Sequence, residues 1–99
     1  MEVIVTKSAA GTLLKLGGRF DFNAHREFRD GVDRVMKESG QVDVDLADVA
    51  YLDSSALGML LMLRDKAKGG SREVRLVNAR GSVRQVLDIA NFSKLFSMP

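Results

Sequence analysis

The chain has 99 residues, 45% of them apolar and 28% charged, with a formal net charge of +2 and no cysteine. That length suits one domain with a real hydrophobic core and is too short for two, and without a thiol neither a disulfide framework nor a thiolate site is available. Met1 leads into an alternating Val-Ile-Val stretch, and the longest apolar run, residues 59 to 63, is far short of a bilayer span. The chain therefore reads as a cytoplasmic protein with no secretory leader and no membrane segment.

Glu2 to Lys7 alternates as a strand with Val3 and Val5 on one face. Ala9-Ala10-Gly11 turns the chain into a second strand, Thr12 to Leu16, so the two predict a hairpin that Gly17-Gly18 ends. Helix one follows, with Asn23 as N-cap and Phe28, Val32, Val35 and Met36 spaced as one buried face up to Gly40. Gln41 to Leu46 is a strand, with Val42, Val44 and Leu46 opposed to Asp43 and Asp45.

Helix two is expected from Asp53 or Ser54 to about Lys68, stopped by Gly69-Gly70, with Ala56, Leu60, Leu63 and Ala67 as its core stripe and Leu57 on the flank. Glu73 to Val77 is the next strand. Ser82 and Gln85 have the spacing of a capping box for helix three, whose stripe is Val83, Val86, Leu87 and Ala90. Phe92, Leu95 and Phe96 predict a last short helix docked by its aromatics. The order β-β-α-β-α-β-α gives an α/β fold, with parallel neighbours joined by right-handed crossovers after the hairpin.

Charge is unevenly spread. Residues 41 to 53 carry Asp43, Asp45, Asp48 and Asp53 with no lysine or arginine, whereas residues 54 to 99 are predominantly basic. A basic half permits contact with nucleic acid, but no aromatic platform or nucleic-acid module accompanies it, so it reads as a solvated face. The four aspartates permit a magnesium site of the phosphoaspartate type, but the strand at residues 73 to 77 lacks the lysine such a site uses; no metal and no cofactor is expected. His25, the one histidine, has no serine–histidine–acid arrangement around it and reads as a surface residue.

The informative stretch is Leu52-Asp53-Ser54-Ser55-Ala56-Leu57-Gly58. With Asp53 as N-cap, Ser54 and Ser55 fall in the first helical turn, among backbone N–H groups without intrahelical partners and at the positive end of the helix dipole. A phosphate on Ser54 would sit beside those donors and add about −1.5 to −2 charges. Local sequence alone favours a helix start that is merely well capped. Further along, Leu61 and Met62 fall outside the apolar stripe and Met59 on its edge, either covered by neighbouring elements or forming an apolar patch for a partner.

Leu16-Gly17-Gly18-Arg19-Phe20-Asp21, the strand Val42-Asp43-Val44-Asp45-Leu46 and the run Tyr51 to Gly58 together resemble the STAS domain family, specifically stand-alone anti-sigma factor antagonists. The one departure is Ala56, where the family usually has Gly. The resemblance spans nearly the whole chain and implies a STAS-like domain over residues 1–99, with a mixed sheet of about four strands, an N-terminal hairpin and three to four helices. It implies that Ser54 is the phosphoacceptor and that the protein is not an enzyme. It further implies a partner-switching cycle. An anti-sigma factor and serine kinase of histidine-kinase-like ATPase fold binds the unmodified form and phosphorylates it; a metal-dependent, PPM-type serine phosphatase reverses the mark. The expected partner-facing residues are Asp21, Asp53, Ser54 and Ser55 around the acceptor, with Leu57, Gly58, Met59, Leu61 and Met62 along helix two. The rival readings are a STAS scaffold or ligand-sensing module that is never phosphorylated, and a metal-dependent phosphotransfer domain built on the aspartates.

Overall fold

A computed structural model describes all residues, 1–99. Strand β1 (Glu2–Lys7) and strand β2 (Gly11–Phe20) form an antiparallel hairpin; helix α1 (His25–Met36) follows a single 3-10 turn at Phe22–Ala24. Strand β3 (Gln41–Leu52), helix α2 (Ser54–Gly69), strand β4 (Val74–Val77), helix α3 (Gly81–Ile89) and a 3-10 turn at Phe92–Lys94 complete the chain. The sheet order is β1-β2-β3-β4, with β2, β3 and β4 mutually parallel. The mixed four-stranded sheet with its hairpin and three helices is thus the expected α/β fold.

One set of alternating strand residues is sealed: Leu14 and Leu16 on β2, Val42, Val44 and Leu46 on β3, Val74 and Leu76 on β4. The opposite set, with Leu13, Lys15, Asp43, Asp45 and Arg75, is half-exposed. The sealed face meets the helices in one continuous core. Phe28, Val32 and Val35 come from α1, Ala56, Leu60, Leu63 and Ala67 from α2, and Val83 and Leu87 from α3. The stripes expected from helical spacing face this core, because burial of an apolar face, more than propensity, decides where a helix of this length sits; Met36 on α1 and Val86 and Ala90 on α3 are only half-buried at its edge.

Several boundaries differ from the sequence reading. Strand β2 does not stop at Gly17-Gly18; it continues to Phe20 opposite an equally extended β3, with register shifts at Lys15/Gly17 and Gly18/Arg19. Gly18 takes φ +87° there, a backbone region open to glycine, so the pair makes a bulge rather than a break. Asn23 is not the cap of helix one. Asp21 caps the preceding 3-10 turn, accepting from the Asn23 N–H at 3.0 Å, and α1 opens at His25 without a side-chain cap. The Ser82–Gln85 capping box does not form: Arg80 holds the N-cap position, and Ser82 already lies inside α3. At the C-terminal end, the buried rings of Phe92 and Phe96 stack at 5.3 Å, while Leu95 stays exposed and accepts from Arg64 Nε through its carbonyl at 2.8 Å.

These extensions matter for position. Parallel β2 and β3 both run on to the same edge of the sheet, where Phe20 pairs with Leu52. The next residues, Asp21 and Asp53, start the paths into α1 and α2, so two helix entrances are set side by side.

Candidate functional site

Asp53 leaves β3 in an extended conformation, and its carboxylate closes the start of α2. Oδ1 accepts from the Ala56 N–H at 3.0 Å and from the Ser55 hydroxyl at 2.6 Å. Oδ2 accepts from the Phe22 N–H at 3.3 Å, and the Asp53 N–H donates to the Phe20 carbonyl at 3.3 Å. One side chain therefore caps a helix and ties it to the turn leading into α1. The bond from Ser55, helped by the N–H groups of Ala56 and Phe22, outweighs partial desolvation and holds the Asp53 carboxyl below the usual range. It is a permanent anion at neutral pH.

Ser54 is the first residue of α2 and is exposed; its hydroxyl takes no part in the bonds around Asp53. Ser55 is half-buried and its hydroxyl is committed to Asp53. Two adjacent serines are thus unlike in kind: one secures the cap and the other is displayed. Ser54 sits exposed in the opening turn of a 16-residue helix, while the Ala56 and Leu57 N–H groups of that turn are held by Asp53. An anion formed there meets the favourable end of the dipole.

Asp21 lies next to this cap. Its Oδ2 accepts from Arg19 Nε at 3.3 Å, and the Arg19 guanidinium sits 4.3 Å from the centre of the Tyr51 ring. Phe22 is 74% exposed and Tyr51 43% exposed. Both were absent from the expected set. Tyr51 was legible in hindsight, since an inward Leu52 turns its neighbour outward; Phe22 was not, because simple alternation from buried Phe20 would have turned it in.

Along α2, Gly58 is exposed, whereas Leu57, Leu61 and Met62 are half-buried against the core. Met59 is corrected: at 4% exposure it belongs to the core and offers no surface to a partner. The helix turns it inward beside Leu60 and Leu63.

The aspartates do not assemble into a metal-binding cluster, and no three His, Cys, Asp or Glu side chains come together. Asp43 is clasped by Arg75, with Nε to Oδ1 at 3.0 Å and Nη2 to Oδ2 at 3.3 Å, and its carboxyl is held low chiefly by that bond. Asp45 accepts from the Ala47 N–H and from Asn78, and Asp48 pairs with Lys15 at 3.4 Å. The polar cleft of the molecule, about 360 Å³, lies at the other end of the sheet, between the β1–β2 turn and the loop after α1. No helix is long and apolar enough to cross a membrane.

Comparison with known proteins bears on the family and the fold. The family model described as "Mlab, STAS domain" matches residues 4–97. A STAS-domain containing protein of Pseudomonas aeruginosa (strain UCBPP-PA14) is 46% identical, over 99% of this chain and 99% of its own length. Among solved structures, the anti-sigma factor antagonist SpoIIAA in its unphosphorylated form superposes with a TM-score of 0.80 at 16% identity, covering 99% of this chain and 88% of that one. The Bacillus cell fate determinant SpoIIAA in the phosphorylated form gives 0.72 at 15% identity, covering 99% and 91%. At such identities these two establish a shared fold.

Proposed function

The chain belongs to the STAS domain family, and we propose that within it this protein is a phosphorylation-gated antagonist of an anti-sigma factor, with Ser54 as the phosphoacceptor. The observation that carries the reading is the division of labour at the start of α2. Asp53 and Ser55 lock the cap, and the neighbouring Ser54 hydroxyl is exposed and unengaged. Relatives of the same fold include SpoIIAA, whose structures are named for an unphosphorylated and a phosphorylated form.

The proposed partner in the unmodified state is an anti-sigma factor with serine kinase activity and a histidine-kinase-like ATPase fold. It binds ATP and metal; this chain supplies only the acceptor and acts in the cytoplasm without catalysis of its own. The Ser54 Oγ forms a bond to the γ-phosphorus as the bond from that phosphorus to the ADP oxygen breaks. The hydroxyl proton passes to a base of the kinase, and ADP leaves. A PPM-type phosphatase hydrolyses the ester and resets the switch. Two added negative charges beside Asp53 and Asp21 raise the cost of desolvating this surface and repel acidic partner groups, so the phosphorylated form lets go.

The test is direct. With cognate kinase and ATP, mass spectrometry is expected to place a single phosphate on Ser54, Ser54→Ala to lose it while keeping kinase binding, and Ser54→Asp to bind at least tenfold more weakly. Labelling that persists in Ser54→Ala rejects the assignment. Binding that Ser54→Asp leaves unaltered would favour a constitutive STAS scaffold instead.

A further inference from the structure

We propose that the outer edge of β1 is a self-association surface: two copies of this chain pair their β1 strands antiparallel about a two-fold axis at Ile4, joining two four-stranded sheets into one. The inference does not depend on the functional reading above.

The two edges of the sheet are finished differently. Strand β4 has only four residues, and the chain itself covers its outer side: the Leu76 N–H donates to the Ser97 carbonyl at 2.8 Å, and Ser97 bridges Arg75. Strand β1 has six residues and no such cover. Its pairing with β2 runs unbroken from Glu2↔Gly17 to Lys7↔Thr12, without the bulge or proline that commonly blunts an edge. The direction of its free groups follows from the turn. Ser8 and Gly11 exchange backbone bonds of 2.9 and 3.2 Å, which makes them a hydrogen-bonded pair. Such pairs alternate along an antiparallel ladder, so Glu2, Ile4 and Thr6 aim their N–H and C=O groups at β2, and Val3, Val5 and Lys7 aim theirs outward. No turn, loop or cap bond reaches those outward groups.

A second copy is the occupant this edge fits. With the axis perpendicular to the sheet and passing at Ile4, the outward groups of Val3 and Val5 in one copy meet those of Val5 and Val3 in the other. Ile4, 43% exposed, then lies opposite its own image in a non-hydrogen-bonded pair, with about 4.5 Å between Cα atoms. Glu2 faces Thr6, so the strands oppose no like charges there. Helix α1 agrees with the same axis. It runs alongside β1, since a Cβ on Gly31 would come within 2.6 Å of Val3 and Glu38 lies 3.8 Å from Lys7. The level of Ile4 therefore falls between Gly31 and Arg34, and the two-fold turns exposed Asp30 of one copy towards exposed Arg34 of the other, twice over. Strands β2 and β3 both end away from the β1–β2 turn, so the two α2 starts fall at opposite ends of the joined sheet and neither is covered. A contact of this kind is smaller than the standard interface of about 800 Å² per partner, which makes the dimer a weak one.

The experiment follows the full chain by sedimentation equilibrium from about 10 µM to about 1 mM, and by disulfide formation in single-cysteine variants, since the chain has no cysteine of its own. Wild type is expected to pass from 10.9 kDa towards twice that mass as concentration rises. Ile4→Glu faces Lys15 within its own sheet but its own image across the axis. It is expected to melt as wild type does when dilute and to need at least tenfold higher concentration to pair. Under oxidation Ile4→Cys is expected to cross-link into a dimer. Thr6→Cys is not, because its image lies four residues along the strand, about 14 Å away, beyond the reach of a disulfide. Ile89→Cys, on a residue 83% exposed on α3 and outside the proposed edge, serves as the control for random collision. A chain that stays at 10.9 kDa throughout overturns the proposal, as does an Ile4→Glu protein that pairs as wild type does. Cross-linking of Thr6→Cys or Ile89→Cys as complete as that of Ile4→Cys likewise rejects it.

Discussion

Asp53 concentrates more structural duty than any other residue of the site, because its two oxygens serve different elements. Oδ1 secures α2 and Ser55, and Oδ2 secures Phe22. Asp53→Ala is expected to destabilise the protein by about 1 kcal/mol through loss of the cap and to slow Ser54 labelling, read by urea unfolding and by kinase assay. Its pH dependence is fixed in sign. Native Asp53 and Asp43 both hold their protons less tightly than in the unfolded chain, so the stability they contribute is complete above an unfolded carboxyl value of about 4 and drains away as pH falls through their native values. Urea midpoints should hold steady from pH 7 to 5 and decline below about pH 4, with a shallower decline in Asp53→Ala and in Asp43→Ala. A decline of equal steepness in both variants would show that other groups govern acid unfolding. At this scale the cap was legible, since an aspartate before two serines and an apolar stripe has one economical use. The distinction between Ser54 and Ser55 was not, because it depends on which hydroxyl turns toward the carboxylate.

Elements were legible where periodicity was clean and obscure where backbone geometry took over. The stripe of α2, and that of α1 except for half-buried Met36, are buried as their spacing predicts, whereas β2 passes through two glycines that read as a terminator. A bulge has no sequence signal distinct from a break; only pairing with the long β3 tells them apart. A second element-level feature left no local trace. Arg72, just after α2, donates to the carbonyls of Val35 and Gly40 and to the hydroxyl of Thr12, the last at 3.2 Å. It thereby joins the end of α1, the turn into β3 and the start of β2 across more than thirty residues of sequence. Thr12 is the one buried polar residue, and burial pulls the Arg72 guanidinium below its ordinary value. Removing this clasp takes the guanidinium donors from the sealed Thr12 hydroxyl and the Gly40 carbonyl, while the Val35 carbonyl keeps the Glu38 N–H. Arg72→Ala is expected to lower the unfolding free energy by about 2 kcal/mol. Arg72→Lys should recover only part of that loss, since an ammonium cannot span three acceptors set around a planar fork. Chemical denaturation decides this, and wild-type stability in Arg72→Ala would reduce the clasp to a surface contact.

For the whole molecule, the relation between core and site determines what kind of switch this can be. A single core of 23 residues lies between the helices and one face of the sheet, and Ser54 is exposed outside it. A phosphate on Ser54 is therefore added to the outside of a finished structure. It lowers the net charge from +2 to about zero and changes the surface at the edge where β2 and β3 end, but it displaces no packed side chain. Its interaction with the helix dipole favours the folded state by at most about 1 kcal/mol. The unfolding free energies of the phosphorylated and unmodified proteins should thus agree within about 1 kcal/mol, with the same dependence on urea concentration, while affinity for the kinase falls at least tenfold. Amide shifts on phosphorylation should gather around residues 19 to 24 and 51 to 58 and leave the β1–β2 turn, at the far end of the sheet, unmoved. Shifts spread across the sheet, or an altered urea dependence, would mean that the phosphate acts by rearranging the fold. A surface-charge switch needs no such rearrangement: release follows because the partner must desolvate two more charges at a place already occupied by Asp53 and Asp21.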